Sequence, residues 1–381
     1  MKKKAKYVII GGGISGTSIA YHLADAGEND IVLLESGYLA SGATGRCGAG
    51  VRQQWGTESN CRMAKMSIDF FEKAEEILEY DGDVEFKQEG YLIVNSNDEE
   101  AALSEKNVRL QRSLGIPAEM LTAEEAKEKI PHLNTDIVHS ATFCGTDGHL
   151  NPFLMTDAFY KAAKKRGVTF YTYTHVEDIV TENGAIKAVK TDKGTIECEY
   201  VINAAGGHAQ KIGEMVDVDI PVFSQNREIL VTEPIEKIQG PMVISFSKNI
   251  YCQQTPHGSF IMGRGDDRDA GYSVHSTWKF LDEMAKTAAG LLPPIGELRV
   301  IRQWGGLYNM SPDRQPIISG CDVNGFYMAC GFSGHGFMMG PVTGKLMSEM
   351  LLGLEPSMPL EELALERFEG QDLEAYETNV V

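Results

Sequence analysis

The hydrophobic pattern changes period twice before residue 36. Tyr7-Val8-Ile9-Ile10 is an unbroken apolar, β-branched run, the pattern of a short buried strand. Glycine takes over at Gly11-Gly12-Gly13, and the apolar positions then return at helical spacing as Ile19, Ala20, Leu23 and Ala24. Gly27 closes that helix, and a second apolar run, Ile31-Val32-Leu33-Leu34, ends at Glu35. The spacing predicts strand, helix, strand: a βαβ unit. Farther on, Met63, Met66, Phe70, Phe71, Ala74, Ile77 and Leu78 keep i, i+3, i+4 spacing and predict one amphipathic helix. Short alternating strands are expected at 186–193 and 201–205. Tyr327-Met328-Ala329-Cys330 reads as a strand, 331–336 as a glycine-punctuated turn, and a helix follows from about Pro341 to Leu351. Internal repeats and low-complexity tracts are absent from the sequence.

The glycines between the first strand and helix spell G-x-G-x-x-G at Gly11, Gly13 and Gly16. Each has a physical task. Gly11 permits the tight turn, Gly13 lets backbone approach a pyrophosphate, and Gly16 lets helix and strand pack closely. The helix N-terminus, at Ile14 and Ser15, favours the anion. Glu35, nineteen residues beyond Gly16, stands where a carboxylate accepts hydrogen bonds from a ribose. The unit predicts dinucleotide binding but does not choose between NAD and FAD. A second small-residue loop, 41–50, follows where an NAD dehydrogenase would continue its crossover helix. It is read either as a surface for a flat ring or as a surface connection.

Composition narrows the class. With 381 residues, two or three domains are expected. The 54 acidic and 35 basic residues leave a net charge of −19, which disfavours nucleic acid and anionic membranes as partners. The 7 cysteines form no CxxC pair and no zinc-finger spacing, so free thiols and no metal site are expected. Lys2-Lys3-Lys4 is followed by only four apolar residues before the glycines, too few for a signal peptide, and no run of ~18 apolar residues exists to span a membrane. A cytoplasmic protein is the expectation.

Seven segments, taken in order, resemble the flavin-dependent amine oxidoreductases of the D-amino-acid oxidase superfamily. The likeness is greatest to the β subunits of multimeric sarcosine oxidases and dye-linked L-proline dehydrogenases. The segments are the βαβ unit, Gly45-Arg46-Cys47-Gly48-Ala49-Gly50-Val51-Arg52-Gln53-Gln54-Trp55, Gln88-Glu89-Gly90-Tyr91-Leu92, Asp147-Gly148-His149-Leu150-Asn151-Pro152, 201–207, 311–318 and 331–337. The resemblance implies an α/β fold with an α+β insertion: a Rossmann-type FAD-binding domain assembled from 1–84, 150–215 and 305–353, and a mixed β-sheet substrate domain from 85–149 and 216–304, with a tail at 354–381.

It also implies residue roles. FAD would be held by Gly11, Gly13, Ile14, Ser15, Gly16, Glu35, Ser41, Thr44, Arg46, Cys47, Gly48, Ala205, Gly206, Gly305, Gly334, His335, Gly336, Phe337 and Met338. The helix beginning near Pro341 would turn its N-terminus to the flavin. Arg52 matches a substrate-binding arginine, and guanidinium suits a carboxylate. Tyr251 and His257 are further catalytic candidates on the substrate-facing sheet, the histidine because it titrates near neutrality. Gly306 replaces the cysteine that bonds FAD in monomeric sarcosine oxidases, so FAD should be non-covalent, and Met338 replaces a carboxylate-binding lysine. Thr146-Asp147-Gly148-His149 resembles the site of a covalent FMN, which makes His149 a candidate contact for a second flavin, FMN, at a subunit interface.

The implied reaction is oxidation of a secondary amino acid such as L-proline, hydroxyproline or sarcosine by hydride transfer to flavin N5. Electrons would pass to an α-type partner in a hetero-oligomer. Two alternatives stand beside it: a stand-alone glycine, sarcosine or D-amino-acid oxidase that uses oxygen, and a non-catalytic FAD-carrying relay subunit. With a substrate carboxylate in the cavity, the acidic excess is expected on the outer faces, with Arg52 among the few cations inside.

Overall fold

A computed structural model describes residues 1–265, 269–369 and 377; the rest of the expected tail, 370–376 and 378–381, lies outside the described residues. Tyr7–Ile10 is buried along its whole length and pairs in parallel with Ile31–Leu34 on one side and Tyr200–Asn203 on the other. It belongs to a six-stranded sheet in the order 317–320, 326–330, 200–203, 7–10, 31–34, 169–171, parallel except for Ile317–Gly320. A parallel strand covered on both faces reads as a continuous apolar run, and this one is covered on both. On one face the helices Ile14–Asp25, Pro152–Lys165 and Gly340–Leu351 bury Ile19, Leu23, Phe159 and Leu346 against Ile9 and Leu33. On the other, Val8, Val32 and Val201 pack against the strands Val176–Glu182, Ala185–Thr191 and Gly194–Glu197. The chain leaves the strands 7–10 and 200–203, which are neighbours, in different directions, and this opens a crevice at their carboxyl ends.

The second layer is an eight-stranded sheet in the order 300–310, 223–232, 260–263, 250–254, 242–245, 91–95, 140–144, 118–122. Its pairs are antiparallel except for Tyr91–Asn95 with Met242–Ser245, so the sheet is mixed. Alternation sorts its side chains. Leu92, Val94, Val243 and Cys252 pack on the helix Trp278–Leu291, while Tyr91, Ile93, Met242, Ile244 and Tyr251 form the opposite face. That opposite face meets the glycine loop: a Cβ on Gly50 would lie 1.7 Å from the Tyr91 hydroxyl, and one on Gly48 would lie 3.2 Å from the Tyr251 ring.

Three local expectations change. The amphipathic helix is two helices, Glu58–Phe71 and Ala74–Ile77, because Lys73 takes a ψ of 17° and leaves the helical path. The expected break at 305 falls inside the single strand Val300–Met310, whose ladder to Phe223–Thr232 runs from Thr232 opposite Val300 to Phe223 opposite Met310. The start of the tail packs on the six-stranded sheet: Leu363 is buried, the Leu365 amide donates to Ser319 Oγ, and Arg367 grips Asp313 at 2.8 and 3.1 Å. The 7 cysteines are free. Among the described residues no helix is long and apolar enough to cross a membrane.

Candidate functional site

The crevice is lined by backbone that tolerates no side chain. Gly11 has φ +116°, and a Cβ there would meet the Ala204 carbonyl at 2.2 Å; on Gly16 it would meet the Gly11 carbonyl at 1.9 Å. Ala205 and Gly206 continue from that carbonyl on the far side, Gly206 at φ +54°. Thr44 Oγ1 accepts the Ile14 amide at 3.1 Å, which holds the second small-residue loop over the helix N-terminus beside Gly13 and Ser15. Glu35 ends its strand as expected, and its two oxygens accept the amides of Gly12 at 2.7 Å and Gly37 at 2.6 Å, with Ser41 Oγ at 3.3 Å.

The same loop is latched to the second layer. Arg46 donates to the carbonyls of Ser41 and Gly305, and its own carbonyl accepts Trp304 Nε1. Gly306 packs against Arg46, where a Cβ would lie 3.1 Å from Arg46 Cβ. Gln253 Nε2 donates to the Gly48 carbonyl at 2.6 Å. Burial holds the Cys47 thiol up at about 11, so it stays protonated. From the C-terminal segment, Gly334 (φ +101°) lies against the Tyr308 ring, Phe337 stacks on Phe71, and Met338 is buried. The Gly340–Leu351 helix starts against Ile14, where a Cβ on Gly340 would come within 2.5 Å.

Arg52 is 4% exposed. Its guanidinium stacks on Trp55 at 3.6 Å and lies 5.6 Å from the Phe246 ring, while Nη1 donates to the Gln54 carbonyl at 2.6 Å. The Arg52 loop is held in turn by Asp147. One carboxylate oxygen accepts the Gln53 amide at 2.9 Å and Gln53 Nε2 at 3.2 Å; the other accepts Gln54 Nε2 at 3.0 Å. Burial lowers the Arg52 pKa from its usual value, and the carboxylates of Glu377 and Asp147 oppose that effect. Trp55 also contacts His335, with ring centroids 4.7 Å apart. His335 is 1% exposed, and neither of its ring nitrogens has a hydrogen-bond partner. Burial, aided by Arg52, pushes its pKa down to about 3, so the imidazole is neutral.

Tyr251 joins this group. It lies on the strand Ile250–Gln254 with its ring against Gly48 and Gly263, and burial raises its phenol well above the ordinary value. His257 does not. It sits exposed in the hairpin turn after Gln254, where the turn is pinned to Ile235 by the Gly258 carbonyl, so it is removed from the catalytic candidates. His149 is buried on the two-residue strand Gly148–His149, paired with Gly50, and its Nε2 faces Glu89 at 3.6 Å. Sequence reading missed Asp147, Trp55, Tyr91, Tyr308 and Phe246 as site residues. Trp55, Tyr91 and Asp147 stand in the quoted motifs and Tyr308 just before one, so all four carried a legible signal; nothing local marks Phe246. Arg227, a second buried cation 5.4 Å from the Tyr308 ring, was also missed.

The residues present fit FAD. Gly11 and Gly16 leave no room for side chains, and the buried, unpartnered nitrogens of His335 are polar groups that a ring system bearing donors and acceptors would satisfy.

The comparisons agree with that fit. The chain is similar to the sarcosine oxidase subunit beta of Arthrobacter sp, 29% identical over 374 residues that make up 97% of this chain and 92% of the relative. Among solved structures it is similar to the L-proline dehydrogenase of P. horikoshii, at a TM-score of 0.93 and 37% identity over 97% of this chain and 99% of that one. Glycine oxidase from Geobacillus kaustophilus shares the fold, at a TM-score of 0.89 and 22% identity over 97% of this chain and all of the other. The family model for FAD-dependent oxidoreductases matches residues 6–350, and the chain belongs to that family of FAD-dependent enzymes.

Proposed function

We propose that this protein is the FAD-carrying catalytic subunit of an amine dehydrogenase that oxidises a secondary amino acid, L-proline in the first instance, and passes the electrons to a partner subunit. The observation that carries the reading is the buried Arg52 between Trp55, Phe246 and the Asp147-braced loop, in a chain that shares 37% identity with an L-proline dehydrogenase along nearly its whole length. FAD, when bound, supplies the acceptor for two electrons from the amine carbon. It would be held by the Gly11–Gly16 cradle (residues 11–16), Glu35, Thr44, the 46–48 loop, 205–206 and 334–338. The chain's own residues supply binding and a dry cavity. Arg52, oriented by Gln54 and Trp55, is the buried cation that would pair with a substrate carboxylate. Tyr251 remains a neutral phenol, and His335 a neutral imidazole, so neither adds a charge that competes with Arg52 for the carboxylate.

Anaerobic addition of L-proline, hydroxyproline, sarcosine and glycine to the purified holoprotein, followed by flavin absorbance, tests this. Bleaching by proline is expected; no bleaching by any amine would leave a relay subunit, and stoichiometric peroxide in air would make the protein an oxidase. Arg52→Met should raise KM for the amino acid by two orders of magnitude or so, because a hydrogen-bonded buried charge partner is worth about 2–5 kcal/mol. Flavin released by acid precipitation measures the non-covalent attachment expected from Gly306; flavin kept in the pellet would instead point to a covalent bond such as one at His149.

A further inference from the structure

The segment 269–277, just ahead of the helix Trp278–Leu291, is an irregular strap that spans the two layers. It is tied to the eight-stranded sheet: Ala270 bridges to Gln225, the Gly271 amide donates to the Ser224 carbonyl at 2.7 Å, and Asn226 Nδ2 donates to the His275 carbonyl at 2.7 Å. Val274 packs on Gly305, where a Cβ would lie 2.7 Å from the Val274 carbonyl oxygen. Gly305 is the residue whose own carbonyl accepts Arg46 Nη1 at 2.9 Å.

Toward the six-stranded sheet the strap is held by Tyr272. Its ring stacks on His208, with centroids 5.1 Å apart and planes at 10°, and Lys211 Nζ sits 3.8 Å from the centre of the Tyr272 ring. His208 ends the turn Gly206–His208, which leads out of the crevice wall at Ala205. Ser224 joins these parts, because its Oγ donates to the Gly207 carbonyl at 2.6 Å while its own carbonyl takes the Gly271 amide. The strap therefore touches both walls assigned to FAD, 205–206 through His208 and the Arg46 loop through Gly305. The two ties are unequal. On the sheet side they are hydrogen bonds to the backbone and a close glycine contact, whereas the tie to His208 is a surface stack in which Tyr272 is 37% exposed. An aromatic pair and a cation over a ring each contribute modestly at an exposed site, so this end of the strap is the one that opens first.

We propose that the strap 269–277 sets how fast FAD enters and leaves, with Tyr272 as its positioning residue. Stacked on His208, Tyr272 holds the 205–206 wall against the wall built on Gly305 and Arg46; when the stack opens, the two walls can part. The proposal rests on the assignment of these two walls to FAD.

Release of FAD from the diluted holoprotein, followed by flavin fluorescence, tests it. Tyr272→Ala should speed release about tenfold, since the stack and the cation contact are lost together. Tyr272→Phe keeps the ring and should stay within about twofold of the native protein, and Lys211→Met should fall between the two. Amide hydrogen exchange of the same holoproteins should rise in 269–277 and 205–208 of Tyr272→Ala; a rise throughout the two sheets would make Tyr272 a stability residue and overturn the proposal. Unchanged release from Tyr272→Ala, or equal speeding by the Ala and Phe variants, overturns it as well. Arg46→Ala separates the two readings. If it speeds release and Tyr272→Ala does not, only the strap falls; if neither does, the assignment of these walls to FAD falls with it. If only Tyr272→Ala speeds release, the strap stands and Arg46 is no longer a FAD contact.

Discussion

Asp147 brings a carboxylate into a fully buried place and holds it there with three donors from Gln53 and Gln54. Burial outweighs those hydrogen bonds and pushes its pKa up to about 6. The sign of the pH effect follows. Between about pH 4 and 6 the folded chain holds this proton more tightly than the unfolded chain does, so its contribution to stability falls as pH rises through that window, by about 3 kcal/mol in all. Urea unfolding of the native protein and of Asp147→Asn across pH 4–6 should show the native protein losing stability relative to the variant; parallel curves would contradict the assignment. None of this is legible in the sequence, where Asp147 stands in a quoted motif only as a neighbour of His149. The difference between Arg52 and His257 makes the same point. Arg52 was chosen by its match to a substrate-binding arginine and His257 by residue type on the expected substrate-facing sheet, but the first is buried on its loop and the second lies in a solvent-facing hairpin turn.

At the scale of elements, the helices Ile14–Asp25 and Gly340–Leu351 pack closely. A Cβ on Gly344 would lie 2.1 Å from Ser18 Oγ and 2.6 Å from the Ser18 carbonyl carbon. The second clash is with backbone, which a rotamer change cannot relieve. Gly344→Ala should therefore push the helices apart, at a cost of about 1–3 kcal/mol. A lower midpoint in urea, together with weaker FAD retention on dialysis, is the expected result, because the displaced helix shares its start with Ile14 at the cradle. The element pattern was legible wherever burial is uniform. The runs Tyr7–Ile10 and Ile31–Leu34 lie inside a parallel sheet covered on both faces, and their composition says so. The helix expected across 63–78 was not legible as two, since apolar spacing continues unbroken through Glu72 and Lys73 while the backbone does not.

For the whole molecule, the chain returns to the site from its far end. Glu377 is buried, and its Oε2 accepts the Gly56 amide, Thr57 Oγ1 and Asn60 Nδ2, each at 3.2 Å, at the start of the helix Glu58–Phe71. A carboxylate at a helix N-terminus gains from both the dipole and charge-assisted bonds. Glu377→Gln should lower unfolding free energy by about 1–2 kcal/mol, read as a drop in the urea midpoint; an unchanged midpoint would mean that the contact contributes nothing. The residue also changes the expected charge map. The −19 excess is not confined to the outer faces, because Asp147 and Glu377 both act on Arg52 from inside.

The sequence by itself determined the nucleotide cradle. A turn of glycines between a buried strand and a helix is specified by contacts among neighbours in the chain, and its steric needs appear directly as missing side chains. Only the tertiary structure decided which residues share the proposed amine site. Arg52, Asp147, Phe246, Tyr251 and His335 come from distant segments joined by two sheets. Their burial, and hence their protonation, depends on what packs over them rather than on what precedes them in the chain.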